Sequence, residues 1–481
     1  MIPFTDIVKM IPLTPYYLDL EYGQAIYCAD CRDLLPVFSH VFSAVVTDPP
    51  YGLGFMGKEW DTFDKSQFGR KGSEGANDLK VKKNFNILPR YNGSGLYEFI
   101  YECAGLIRSA CLPGAPLLSF GGSRTQHRIA CAIEDAGWVI KDTLMWVYGS
   151  GFPKSLDISK AIDKMKGIER EVIGVGKSGQ PDSHKTSYQM SQQKDNTFGG
   201  EFNLTAPASA EAQLWNGYGT ALKPAYEPII LAMNPLDNTF ANNALKYGVA
   251  GLNIDECRVQ LNGDRPQAGK RTATFGTQET ISGGDGSGGW DMNNKGRFPA
   301  NFLHDGSQEV MELFPKTGKS SGGKSGHTGA YGGGYKEEYY NGDKPGFGDN
   351  GSAARFFYCA KASRAERNRG CEDLPNHNPC YESHRPNYRN TKGIETPFAG
   401  TGRTGNNLRN NHPTVKPLAL MEYLVKLVKM PEYNLVLDPF CGSGTTLLAC
   451  GNLGIHSIGI DSDEQSCEIA KKRLSQSVMR L

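Results

Sequence analysis

The sequence predicts an α/β protein built around a doubly wound mixed sheet, and three observations carry that reading. Short β-branched runs alternate with stretches of helical periodicity. Three of those runs lead to an aspartate, at Asp30, Asp48 and Asp461, and carboxyl ends of strands are where open α/β sheets gather ligands. A glycine-rich turn, Pro439–Thr446, joins a strand to a helix near the C-terminus.

Residues 1–24 read as an irregular lead-in, and Ala25–Cys28 as a strand whose tip carries Asp30 before a short helix. Ala44–Thr47 is a buried strand, stopped by Pro49 and Pro50 because neither can donate to a ladder. A glycine-bearing loop, Gly52–Asp61, and a polar stretch at 64–95 follow. Phe99, Ile100, Cys103, Leu106 and Ile107 recur at helical spacing within Tyr97–Cys111, and Pro113-Gly114 ends that helix. Leu117–Phe120 is the next strand, Ile129–Ala136 a helix, and Trp138–Tyr148 a strand or hairpin. A polar insertion at 150–222 holds one amphipathic helix near Ile158–Met165, and the sheet resumes at Glu227–Met233.

From 235 to 405 the chain turns glycine-rich and polar, which predicts long loops around an irregular core anchored by Phe298, Phe302, Phe356, Phe357 and Tyr358. Between Arg355 and Arg409 stand ten basic and five acidic residues. Tyr381 and Tyr388 are interleaved with them, so Arg355, Lys361, Arg364, Arg385 and Arg389 are candidates for contacting nucleic acid. Order returns with a helix at Leu418–Val428, a strand at Leu435–Asp438, a helix at Leu447–Leu453, a strand at His456–Asp461 and a charged helix at Glu464–Leu474. Order and composition divide the chain into 1–234, 235–407 and 408–481.

Composition narrows the function classes. With 52 basic and 51 acidic residues, whole-chain charge favours neither nucleic acid nor membrane, so a polyanion site has to be local. The twelve cysteines are scattered, several in apolar segments, which fits reduced thiols in a cytoplasm. No run reaches transmembrane length. Cys28 and Cys31 form a CxxC, but no second ligand pair stands nearby, and the spacings of Cys359, Cys371, His377, Cys380 and His384 match no regular zinc pattern. No metal is expected.

Asp48-Pro49-Pro50-Tyr51 puts a carboxylate, a proline carbonyl and a ring at one strand end, suited to a flat, amino-bearing heterocycle. The second half-site has glycines for close backbone approach and Asp461 about twenty residues on for ribose hydroxyls. It lacks the third fingerprint glycine, which argues for a nucleoside cofactor without a pyrophosphate.

Asp48–Tyr51 together with Asp438–Thr445 resembles the amino-methyltransferases that modify exocyclic amines of DNA bases with S-adenosylmethionine. The order, catalytic motif first and cofactor motif last, resembles their permuted β group, and Asn411–Pro417 is similar to the segment before their cofactor loop. The loop Gly52–Asp61 and the stretch Gly151–Ser155 are similar to members carried by phages and prophages. The resemblance implies a circularly permuted, Rossmann-like methyltransferase fold, with its catalytic half at 1–234, a loop-rich target-recognition region at 235–407 and its cofactor half at 408–481. It implies catalysis by Asp48, Pro49, Pro50 and Tyr51. It implies S-adenosylmethionine binding by Asp30, Lys416, Asp438, Phe440, Gly442, Gly444, Thr445 and Asp461. It also implies double-stranded DNA as substrate, adenine N6 as target because the first motif residue is an aspartate, and base flipping. A homodimer and a cognate restriction endonuclease are compatible partners. The rivals are a cytosine-N4 methyltransferase, an RNA adenine methyltransferase, an idle DNA-binding regulator and a nicotinamide oxidoreductase.

Overall fold

The structure is a computed structural model and describes residues 2–52, 93–149, 155–177, 201–260, 296–317, 351–360, 371 and 415–478. From the N-terminus come β1 (Tyr17–Asp19), β2 (Gln24–Cys28), β3 (Ala44–Thr47), β4 (Pro116–Phe120) and β5 (Val139–Val147). The insertion carries β6 (Val172–Lys177) and β7 (Glu201–Thr205), and β8 (Tyr226–Met233) follows. The middle region supplies β9 (Phe302–His304), β10 (Lys316–Thr317), β11 (Gly351–Ser352) and β12 (Tyr358–Cys359), and the chain closes with β13 (Leu435–Asp438) and β14 (His456–Asp461).

Ten of these form one mixed sheet in the order β1-β2-β14-β13-β3-β4-β8-β5-β9-β12. Neighbours from β2 through β14, β13 and β3 to β4 are all parallel. Both chain ends therefore contribute to one sheet, and Asp30, Asp461, Asp438 and Asp48 all fall at the edge where those strands finish. β8 runs antiparallel to both β4 and β5. Its first residues consequently reach that same edge, with Ile229 opposite Phe120 and Glu227 opposite Trp146.

Side chains alternate between two cores, as a pleat with period two requires. Val45, Leu117, Leu435, Leu437, Ile458 and Ile460 pack on one face with helices Gly93–Ala110 and Gln126–Asp135. Ala44, Val46, Leu118 and Val436 pack on the other with helix Leu418–Leu427. Helices on both faces make the sheet doubly wound.

Several sequence expectations change. The lead-in is not irregular: it forms helix Phe4–Met10, which buries Phe4 and Ile7, and β1, which pairs with β2. Trp138–Tyr148 resolves to the single strand β5, extended by pairing with β8 on one side and β9 on the other. The insertion holds a hairpin, β6–β7, and a buried Asp163 that accepts from Ser209 Oγ at 2.7 Å and pairs with Arg170 at 3.0 Å. These polar contacts, invisible to hydrophobic periodicity, organise it. The middle region is not loops alone, since β9 and β12 extend the main sheet and Phe240–Tyr247 is helical. Phe302, Phe314 and Phe357 form a ring cluster there, whereas Phe298 is exposed beneath the Arg258 guanidinium and anchors nothing buried. The Gly52–Asp61 loop, beyond Gly52, and Gly151–Pro153 with Lys154 lie outside the described residues.

Asn234, just past β8, donates through Nδ2 to the carbonyls of Arg108, Cys111 and Leu112, closing the end of helix Gly93–Ala110. Asn234→Ala strands those acceptors and is expected to lower stability by about 1–3 kcal/mol, read from the urea midpoint.

Candidate active site

β3 delivers Asp48 at its carboxyl end, and Pro49-Pro50 turns the chain so that Tyr51 folds back. The Tyr51 hydroxyl donates to Asp48 Oδ1 at 2.6 Å and lies 3.5 Å from Glu227 Oε2. Its ring lies so close to Gly122, after β4, that a Cβ there would come within 3.0 Å of it. Lys416 reaches the same place from the segment before helix Leu418–Leu427. Its Nζ stands 2.8 Å from Asp48 Oδ2, 3.0 Å from Glu227 Oε2 and 3.3 Å from the Tyr51 hydroxyl. The ammonium also sits 4.7 Å from the Phe120 ring centre, within cation–π range.

The Lys416 side chain is only 8% exposed, against 19% for Asp48 and 22% for Glu227. Burial works against its charge, but Asp48 and Glu227 outweigh it and hold the ammonium above its ordinary range. Burial, reinforced by Asp48 and Glu227, pushes the Tyr51 phenol well above its ordinary value. Tyr148 is likewise pushed up by burial and by Glu227. The site thus holds two carboxylates, one ammonium and neutral phenols.

One strand away, Asp438 ends β13. Its Oδ1 accepts from Thr47 Oγ1 at 2.8 Å and from the Phe440 amide at 3.2 Å, and its Oδ2 accepts from Thr446 Oγ1 at 2.5 Å. Burial pushes Asp438 up to about 7 despite those donors. Gly442 and Gly444 hold left-handed φ values of 49° and 73°, and a Cβ at Gly444 would stand 2.8 Å from Ala470 Cβ. The turn therefore seats against helix Glu464–Val478 and opens helix Thr445–Asn452. Asp461 ends β14, accepts from the Gly442 amide at 2.8 Å and from the Asp463 amide at 2.9 Å, and is pushed by burial up to about 6. Asp30 caps helix Cys31–Leu34 through the Arg32 amide and pairs with the Arg32 guanidinium at 2.6 Å. Phe440 packs near Phe99, 5.8 Å between ring centres.

Residues 289–472, less than half the chain, match the sequence profile described as DNA methylase, N6_N4_Mtase. That match, with the order of motifs along the sheet edge, makes this part of the chain similar to the DNA amino-methyltransferases. Among curated relatives, the Type II methyltransferase M2.LlaDCHI of Lactococcus lactis subsp. cremoris is 46% identical over 65 residues, 14% of this chain and 24% of that protein. The Type II methyltransferase M.HpaI of Haemophilus parainfluenzae is 46% identical over 69 residues, 14% of this chain and 22% of that protein. These matches thus span a quarter or less of each relative's length. The solved PvuII DNA methyltransferase (cytosine-N4-specific) aligns over 96% of this chain and 89% of its own, at 11% identity and a TM-score of 0.41.

The structure brings Asp48, Tyr51, Asp438 and Asp461 to one sheet edge. Lys416, grouped with the cofactor residues in the sequence, instead meets Asp48 and Glu227. Pro49 is buried and Pro50 partly so. Thr445 is buried, and its Oγ1 accepts from Arg473 Nη1 at 2.8 Å, so it faces the core side of the turn. Arg355 donates to the carbonyls of Gly351 and Ser352 and stacks 4.4 Å from the Phe356 ring centre. Lys361, Arg364, Arg385 and Arg389 lie outside the described residues, as do His377, Cys380 and His384. No cluster of metal-ligating side chains occurs among the described residues, and no helix among them is long and apolar enough to cross a membrane. Cys31, from the CxxC, packs with its Sγ 3.8 Å from Cys103 Sγ. Sequence reading missed Glu227, because an acid at a strand start carries no motif. Its one signal is a glutamate opening an otherwise apolar strand.

Asp438 also predicts a pH dependence. Its folded value lies above that of an unfolded aspartate, so its contribution is fully present below about pH 4 and is lost as pH rises through about 7. Asp438→Asn should flatten that part of the stability–pH curve, measured by urea unfolding from pH 4 to 8.

Proposed function

We propose that this protein transfers a methyl group from S-adenosylmethionine to the exocyclic N6 of adenine in double-stranded DNA. The observation that carries the reading is the bond from Thr47 to Asp438, which sets the Asp48–Tyr51 corner beside an acidic half-site on the neighbouring strand.

That half-site fits the cofactor. Asp438 and Asp461 are both pushed up by burial, so each gains from a nearby positive group, and S-adenosylmethionine carries an ammonium and a sulfonium. A dinucleotide would instead bring a pyrophosphate toward carboxylates, which disfavours the oxidoreductase reading. Asp30, Phe440, Gly442, Gly444 and Asp461 would hold the nucleoside end, and Asp438 the amino-acid end. When bound there, the cofactor supplies an electrophilic methyl group.

The chain's own residues do the rest. The target base leaves the duplex, at a cost of a few kcal/mol. The Tyr51 ring offers a stacking face, worth about 1–3 kcal/mol per base. Asp48 and the Pro49 carbonyl accept hydrogen bonds from the ring amine and turn its nitrogen toward the methyl. That nitrogen's lone pair is delocalised, so orientation and charge stabilisation outweigh any strong base. Buried Cys441, its thiol pushed up by burial, is a packing residue. The aspartate at the first motif position supports adenine over cytosine N4, following the family preference. The local excess of basic residues in the sequence between Arg355 and Arg409 supports DNA as the substrate.

Asp48→Ala is expected to lower labelled-methyl transfer to DNA by at least about 10²-fold, with cofactor affinity within about threefold of wild type. Undiminished transfer by that variant would remove Asp48 from the chemistry.

A further inference from the structure

Glu227 lies outside both motifs, yet it shares Lys416 with Asp48. It can do so because β8 is antiparallel, so its first residues rise at the edge where the parallel strands end. Lys416 Nζ occupies a hydrogen-bonding position on Asp48 Oδ2, as the Tyr51 hydroxyl does on Oδ1, so an incoming amine meets a carboxylate bonded at both oxygens. Counted over Asp48, Glu227 and Lys416, the site carries one net negative charge.

We propose that Glu227 is a positioning residue for methyl transfer: it holds Lys416 so that Asp48 can release the ammonium to receive the base amine. It also supplies the surplus negative charge that faces the nitrogen as it becomes cationic. The proposal rests on the methyltransferase reading above and deepens it.

The charge balance follows the reaction. The amine nitrogen donates its lone pair to the methyl carbon of a sulfonium donor, and the electrons of the carbon–sulfur bond return to sulfur. Positive charge moves to nitrogen, which then loses a proton to Asp48, the carboxylate that bonds it. Lys416, held charged by its two carboxylates, cannot take that proton. With Lys416 alone against Asp48, the array would be neutral and the amine would compete for Asp48 against an ammonium with no other anchor. With Glu227 present, the ammonium keeps a partner at 3.0 Å throughout. The other titratable groups facing this array are Tyr51 and Tyr148, whose phenols burial keeps protonated, and Asp438 on the neighbouring strand.

The test uses full-length wild type, Glu227→Gln, Glu227→Asp and Lys416→Met, with labelled-methyl transfer to DNA and cofactor binding by calorimetry. Glu227→Gln should bind the cofactor as wild type does and lose kcat by about 10²-fold, the scale for removing one preorganised group facing a developing charge. Glu227→Asp should recover most of that loss, because it restores the charge. Lys416→Met leaves two facing carboxylates without their cation, so the acid limb of its kcat–pH profile should move up by about one pH unit or more. If Lys416→Met fails to fold, Glu227→Gln carries the test alone, since it keeps the Lys416–Asp48 pair. Wild-type kcat in Glu227→Gln, or no rescue by Glu227→Asp, overturns the proposal while leaving the methyltransferase reading intact. A wild-type protein that binds the cofactor but transfers no methyl overturns both.

Discussion

The pairing of β3 with β13 is the constraint on which the site depends. Ala44 lies opposite Val436 and Val45 opposite Leu437, two segments nearly four hundred residues apart in the chain. Closing so long a loop is entropically costly, although the cost grows only logarithmically with length. Burial on both faces offsets it, with Ala44, Val45, Val46, Val436 and Leu437 all at 1% exposure or less. The register then places Asp48 and Asp438 on adjacent strand ends, and the Thr47–Asp438 bond ties the two corners together. Had the register slipped by one residue, each side chain would face the opposite core.

Charge placement follows from the same edge. In the cofactor half, burial is the largest influence on Asp438 and Asp461 and lifts both carboxyls. The Asp48–Glu227 corner instead receives a cation from the C-terminal segment, and Lys416 balances the two acids in part. A donor bearing two positive groups fits the first half, while a neutral amine that turns cationic fits the second. Under the proposed reaction, the two electrostatic environments divide the work between them.

Much of this was legible in the sequence, and the residues show why. β-Branched runs at Ala44–Thr47 and Leu435–Asp438 announce buried strands because both their faces are apolar. Asp48 is legible because Pro49 and Pro50 stop its strand, and Asp461 because it ends a strand about twenty residues after the glycine-rich turn. The partnership of Lys416 with Asp48 was not, since a buried ion pair 368 positions apart leaves no local pattern. Glu227 was hidden for a related reason: its role depends on the antiparallel direction of β8, which periodicity does not encode. The short strands β9 and β12 escaped too, being three and two residues long within glycine-rich surroundings.

The most direct measurement incubates the wild-type protein and S-adenosylmethionine with unmethylated genomic DNA and reads modified bases by single-molecule sequencing. The account predicts methylated adenine N6 confined to one short sequence context. Bound cofactor without any methylated base would contradict it, and methylation confined to cytosine N4 would overturn the choice of adenine.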